Sequence, residues 1–124
     1  MKDGKYRILY VDDDSDLLDA TRLRLEKAGY LVDTASSAEE GLRTFKTCAP
    51  DLIVVDLMME EIDAGTTLVK DLKLAGNQAP VYMLSSVGDQ LTQATSYKEL
   101  GLDGVFQKPV NFDALLRTLK AKLG

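Results

Sequence analysis

Asp51-Leu52-Ile53-Val54-Val55-Asp56-Leu57-Met58-Met59 is the stretch whose reading decides the fold. Leu52 to Val55 are aliphatic without alternation, the pattern of a strand buried on both faces. The run stops abruptly at Asp56. A carboxylate in that place stands at the margin of the apolar core, where desolvation and neighbouring charges tune it. The other polar clusters are therefore read by whether they can reach Asp56.

Outward from this run, four further apolar runs and five amphipathic stretches alternate along the chain. Tyr6 to Val11 leads into Asp12, Asp13 and Asp14. A helix follows, with Leu17, Leu18, Thr21, Leu25 and Ala28 on one face and Gly29 as its stop. Tyr30 to Ala35 carries Asp33 and reads as a weaker strand at a sheet edge. Ser37 and Glu40 form a capping-box pattern for a second helix, whose Ala38, Leu42 and Phe45 share a face, and Pro50 ends that unit. Beyond Asp56, a loop through Asp63 precedes a helix with Leu68, Val69, Leu72 and Ala75 inward and Gly76 at its end. Pro80 opens a fourth strand, Val81 to Leu84, finishing at Ser85 and Ser86. Leu91 to Leu100 has helical spacing but few large apolar residues, so its packing should be marginal. Gly101 and Gly104 bracket a turn into Val105 to Gln107, which ends at Lys108-Pro109. Asn111 then caps a last helix burying Phe112, Leu115, Leu116 and Leu119.

Strand and helix alternating at this spacing predict an α/β fold with a parallel sheet covered on both faces. Right-handed crossovers gather all strand C-termini along one edge, where open α/β sheets bind their ligands. Asp12 to Asp14, Asp56, Ser85 and Lys108 follow strands one, three, four and five, so they should converge.

The 124 residues read as one domain, with a core from about residue 6 to 122. A net charge of −5 without a basic run argues against nucleic-acid binding through this chain alone. No apolar segment is long enough for a membrane span, and Met1 to Lys5 are too polar for a signal peptide, so a cytoplasmic protein is expected. The single cysteine, Cys48, excludes an internal disulfide and reads as a small, partly buried apolar residue. With no histidine in the chain, Ser-His-Asp and Cys-His catalysis and histidine metal ligation are all excluded.

Carboxylates gathered in one pocket repel each other unless a cation joins them. Oxygen-only ligands favour a hard ion such as Mg²⁺ or Mn²⁺, and Mg²⁺ commonly sits between carboxylates and phosphate oxygens. Lysine suits a phosphate as a point charge, a serine hydroxyl can donate to a phosphoryl oxygen, and a carboxylate can be a phosphoryl acceptor. Taken singly, each part has a plainer explanation. Asp12 to Asp14 alone is better explained as a helix cap, and Asp56 alone equally well as a loop cap. Ser85 alone is a strand-end hydroxyl, and Lys108 alone a solvated charge. Four such groups at the same end of successive strands are hard to attribute to chance.

Ile8-Leu-Tyr-Val-Asp12-Asp13-Asp14, Asp51-Leu-Ile-Val-Val-Asp56-Leu-Met-Met, Pro80-Val-Tyr-Met-Leu-Ser85 and Lys108-Pro109 together resemble the receiver domain of two-component response regulators, in order and over nearly the whole chain. The resemblance implies a flavodoxin-like (βα)5 fold with a five-stranded sheet of order 2-1-3-4-5. It implies that Asp56 accepts a phosphoryl group from a sensor histidine kinase or phosphotransfer protein. Asp13, Asp56 and the backbone carbonyl of Met58 would hold Mg²⁺, with Asp12 acting through water. Lys108 would pair with the phosphoryl group, and Ser85 would move to meet it, with Ser86 less well aligned. Three positions depart from the family pattern: Glu60 where proline is common, Ala64 where glycine is common, and Val105 where a Tyr or Phe switch residue is usual, with Phe106 beside it. Tyr82 and Tyr97 are candidates to substitute for that aromatic.

The resulting expectation is a phosphorylation-controlled protein-interaction switch in a two-component phosphorelay, with catalysis limited to its own phosphorylation and slow dephosphorylation. It would dock on an unidentified downstream protein or belong to a longer chain. The main alternative is a receiver-like binding module that signals without phosphorylation. A haloacid dehalogenase-like phosphatase, with Asp12 as nucleophile, is weaker because Asp16 breaks its motif and such enzymes are usually longer. An EF-hand is excluded by Leu17 and Leu23 at its glycine and glutamate positions, and no dinucleotide or P-loop motif occurs.

Overall fold

The computed structural model describes residues 5–56, 64–85, 102–107 and 111–123. The elements run β1 (Arg7–Val11), α1 (Ser15–Lys27), β2 (Leu31–Ala35), α2 (Ala38–Cys48), β3 (Leu52–Asp56), α3 (Ala64–Leu74), β4 (Val81–Ser85), β5 (Gly104–Gln107) and α4 (Phe112–Leu123). The five strands form one sheet in the order β2-β1-β3-β4-β5, and every neighbouring pair is parallel. Fold class and strand order are as the sequence implies. The segment Leu91 to Leu100, the loop to Asp63 and Ser86 lie outside the described residues.

The absence of alternation in β3 has a direct cause. Ile53 and Val55 join Leu9, Val11, Val81 and Met83 against α2 and α3, while Leu52 and Val54 join Ile8, Tyr10, Tyr82 and Leu84 against α1 and α4. Both faces of the sheet are core, so both parities of a central strand must be apolar. Each fully buried Leu, Ile or Val contributes about 1.5–3 kcal/mol relative to exposure, and all four apolar residues of β3 have none of their surface in water.

Helix ends follow local chemistry. Asp14 caps α1 by accepting from the Leu17 amide, Ser37 caps α2 by accepting from Glu40, and Asn111 caps α4 by accepting from Ala114. The capping box at α2 is only half formed: the Glu40 carboxylate accepts from the Ser36 hydroxyl instead of closing back on Ser37. Ala28 and Ala75, expected on inward faces, are exposed, because each lies just past its helix where the chain turns into a glycine at positive φ. Pro50 follows α2, but the helix is closed by Ala49, which adopts the left-handed region at φ 47°. Gly104 belongs to β5 and not to the preceding turn. A Cβ there would come within 2.8 Å of the Tyr82 ring, so only glycine lets the two strands pair at this point.

Two aspartates fasten the N-terminal edge of the sheet. The Asp51 amide donates to the Arg7 carbonyl at 2.7 Å, and its carboxylate accepts from the Arg7 amide at 2.8 Å. Asp103 repeats the arrangement on Val81, at 2.8 and 3.0 Å. Each side chain satisfies the first backbone donor of its neighbouring strand. The Arg7 guanidinium turns aside to Asp33 at 2.7 Å.

Cys48 lies partly buried beside this corner, and burial reinforced by Asp33 pushes its thiol up from 9.0 to about 11. In alkaline buffer below that range, alkylation of the folded chain should be much slower than that of the unfolded chain; equal rates would show the thiol to be unprotected. Ala49→Gly should raise stability by about 0.5–1 kcal/mol in urea unfolding, because relief of the left-handed backbone outweighs the added chain entropy. A loss of stability would show that the Ala49 conformation carries no strain.

Candidate functional site

β1 and β3 are paired with Val11 opposite Val55, so the next residue of each strand, Asp12 and Asp56, emerges side by side. The Asp12 amide donates to the Ala35 carbonyl at 3.1 Å, which holds the end of β1 to β2. Asp12 Oδ1 accepts from the Asp14 amide at 3.0 Å. This local turn sets up Asp14 as the cap of α1 and leaves Asp13 at the exposed rim. Both explanations of the acidic triplet are thus realised by different residues: Asp14 caps, while Asp12 and Asp13 turn toward Asp56.

Carboxylate oxygens of Asp12, Asp13 and Asp56 lie within 4.8 Å of one another. Asp12 is fully buried and Asp56 is 3% exposed. Carboxylates gathered this closely, two of them withdrawn from water, make a place that suits a cation. Asp13 is the exposed member of the three, and the other two are buried. The donor set, three carboxylates on a rigid edge, fits a hard divalent ion such as Mg²⁺.

Of the other predicted site residues, Ser85 reaches the same edge. Leu84 of β4 is the register partner of Asp56, so Ser85 is one residue further along at the strand's end. Ser85 is in turn paired with Gln107 of β5, the residue immediately before Lys108. Lys108 and Met58 themselves lie outside the described residues. The sheet therefore brings Asp12, Asp56 and Ser85 together and delivers the chain to Lys108 at the same edge.

Two further residues lie near the acids, and the sequence pattern gives neither of them a part in the site. Tyr10 and Thr21 are both fully buried, one on β1 and one on α1, with their hydroxyls close together. Burial drives the Tyr10 phenol far above its usual range; the Thr21 hydroxyl works against this, and the charges of Asp12, Asp56 and Asp14 add to it. The negative field of the cluster thus extends into the core below it. A threonine among the leucines of an inward helix face was the available signal.

The pattern of the response regulator receiver domain matches residues 8–120. Among curated relatives, the alkaline phosphatase synthesis transcriptional regulatory protein PhoP of Bacillus subtilis is 36% identical over 103 residues, covering 83% of this chain and 42% of that protein. The transcriptional regulatory protein PrrA of Mycobacterium leprae is 37% identical over 120 residues, covering 94% of this chain and 49% of that protein. The chain spans half or less of the length of these relatives. Among solved structures, a CheY-like response regulator receiver domain protein from Methanospirillum hungatei superposes with a TM-score of 0.85 at 33% identity, covering 97% of this chain and 94% of that one.

If repulsion within the cluster is relieved by a bound cation, Asp13→Asn should stabilise the chain by about 1 kcal/mol in chelator, since it removes one of three charges at the solvated rim. Mg²⁺ should then raise the unfolding midpoint of the native chain more than that of the variant. Equal Mg²⁺ responses would exclude Asp13 from an ion site.

Proposed function

The chain belongs to the family of response regulator receiver domains, and from that membership we propose that it is a phosphorylation-controlled switch of a two-component phosphorelay with Asp56 as phosphoacceptor. The observation that carries this reading is the convergence of Asp12, Asp13 and Asp56 at the C-terminal edge of the sheet. A carboxylate oxygen of Asp56 attacks phosphorus in a phosphohistidine of a sensor kinase or phosphotransfer protein. The P–N bond breaks as the P–O bond forms, its electron pair returns to the imidazole nitrogen, and the donor histidine, protonated on its other ring nitrogen, leaves neutral. Mg²⁺ would supply charge neutralisation for the transfer. Asp13, Asp56 and the Met58 carbonyl would hold the ion, with Asp12 acting through water. Lys108 pairs with the phosphoryl group, and Ser85 donates a hydrogen bond to it.

Nearly complete burial of Asp56 limits approach to the one open rim, so the donor must present its phosphoryl group there. The domain processes no external substrate. Its output is a population shift that an unidentified downstream protein, or a further domain of a longer chain, reads in the cytoplasm. A second reading, a binding module that works without phosphorylation, draws on one observation: Val105 fills the usual aromatic position and packs into the α2–α3 core.

Incubation with acetyl phosphate and Mg²⁺, followed by intact mass measurement, separates these readings. A single phosphoryl adduct is expected on the native chain and not on Asp56→Ala. The absence of an adduct at every Mg²⁺ concentration would favour the phosphorylation-independent module. Turnover of a phosphoester that stops in Asp12→Ala but survives in Asp56→Ala would point to a phosphatase.

A further inference from the structure

We propose that the Tyr82–Phe106 ring pair relays phosphorylation of Asp56 to the flank formed by α1 and α4, in place of a switch residue at position 105. The inference rests on Asp56 being the phosphoacceptor. Tyr82 and Phe106 sit diagonally across β4 and β5, since Tyr82 is opposite Gly104 and Leu84 opposite Phe106. Their ring centroids are 5.5 Å apart, with the planes tilted by 39°. The Tyr82 ring is seated directly on Gly104, where even a methyl group would collide with it at 2.8 Å. Neither ring can shift along its strand without disturbing the other.

Both strands lead into the reacting edge. β4 ends at Ser85, three residues beyond Tyr82, and β5 ends at Gln107, one residue beyond Phe106. A phosphoryl group that draws Ser85 and Lys108 together changes the spacing of β4 and β5 where the rings meet. Phe106 packs into the same core as Phe112, Leu115 and Leu119 of α4. Phe112 carries the step onward, because the Arg24 guanidinium of α1 stands 4.6 Å from its ring centroid. The contacts therefore form one continuous packed path from the strand ends to α4 and α1.

Val105 has neither the position nor the chemistry to take this part. It faces the opposite core, against α2 and α3, and offers no ring to rotate and no polar tip to exchange partners. Closely packed rings re-seat between discrete arrangements instead of deforming continuously, which is what a relay needs.

Hydrogen exchange of the full chain, free and loaded with beryllofluoride and Mg²⁺ as a phosphoryl mimic, tests the relay. Loading should change exchange in residues 112–123 and 15–27 of the native chain. The change should persist in Val105→Ala and be lost in Phe106→Leu while the latter still forms the acetyl phosphate adduct. If Phe106→Leu does not fold, the aromatic resonances of Tyr82 and Phe106 in the native chain serve instead, and they must move on loading. A loaded chain whose α4 response survives Phe106→Leu, or whose ring resonances stay fixed, overturns the relay but not the phosphoacceptor. A chain that never loads at Asp56 overturns both.

Discussion

Two carboxylates closing adjacent parallel strands almost out of contact with water are the constraint to which the rest of the molecule answers. Asp12 and Asp56 repel each other, and neither can relax into solvent without breaking the end of its strand. A sheet with one wet face would let them turn outward. Here each strand is clamped between two apolar layers, and the acids stay where the backbone puts them. The stability of both cores is what makes an unfavourable pair of charges sustainable at the edge. Under the proposed function it would also preorganise the edge for a cation and a phosphoryl group, because the cost of assembling the charges is met during folding.

Much of this was legible in the sequence because it depends on local rules. The unbroken apolar run of β3, the caps at Ser37 and Asn111, and the placement of acids at strand ends are short-range patterns that a sequence displays directly. What escaped were features decided by a partner far away in the chain. Gly104 looks like a turn residue, yet it is in a strand because Tyr82, in another strand, needs its missing side chain. Ala49 gives no hint of a left-handed backbone, since alanine rarely adopts one. Thr21 was assigned to the correct face, but its proximity to Tyr10 under the acids belongs to the packing of α1 on β1. That Asp12, Asp56 and Ser85 share one edge was legible for a related reason: topology turns "last residue of a strand" into "same edge of the sheet", so a one-dimensional position predicts a three-dimensional neighbourhood.

The two faces of the sheet do different work at the same residue numbers. Neighbouring Val105 and Phe106 point into separate cores, one beneath α2 and α3 and the other beneath α1 and α4. Moving an aromatic side chain by one position along β5 transfers its contacts from one layer of helices to the other, as the two-residue period of a strand requires. The departure from the family pattern at Val105 is thus a change of address on the sheet, not simply the loss of a ring.

Asp51 and Asp103 use the same functional group as Asp12 and Asp56 for the opposite purpose. At the N-terminal edge each carboxylate is occupied with a backbone amide, sealing β1 to β3 and β4 to β5. One end of the sheet behaves like the rivet of a fan, and the other like the spread of its blades. Mutational drift in how firmly the rivet holds can therefore adjust the durability of the domain without redrawing its chemistry. Drift at the opposite rim acts instead on the acids themselves, and so on whatever the edge binds.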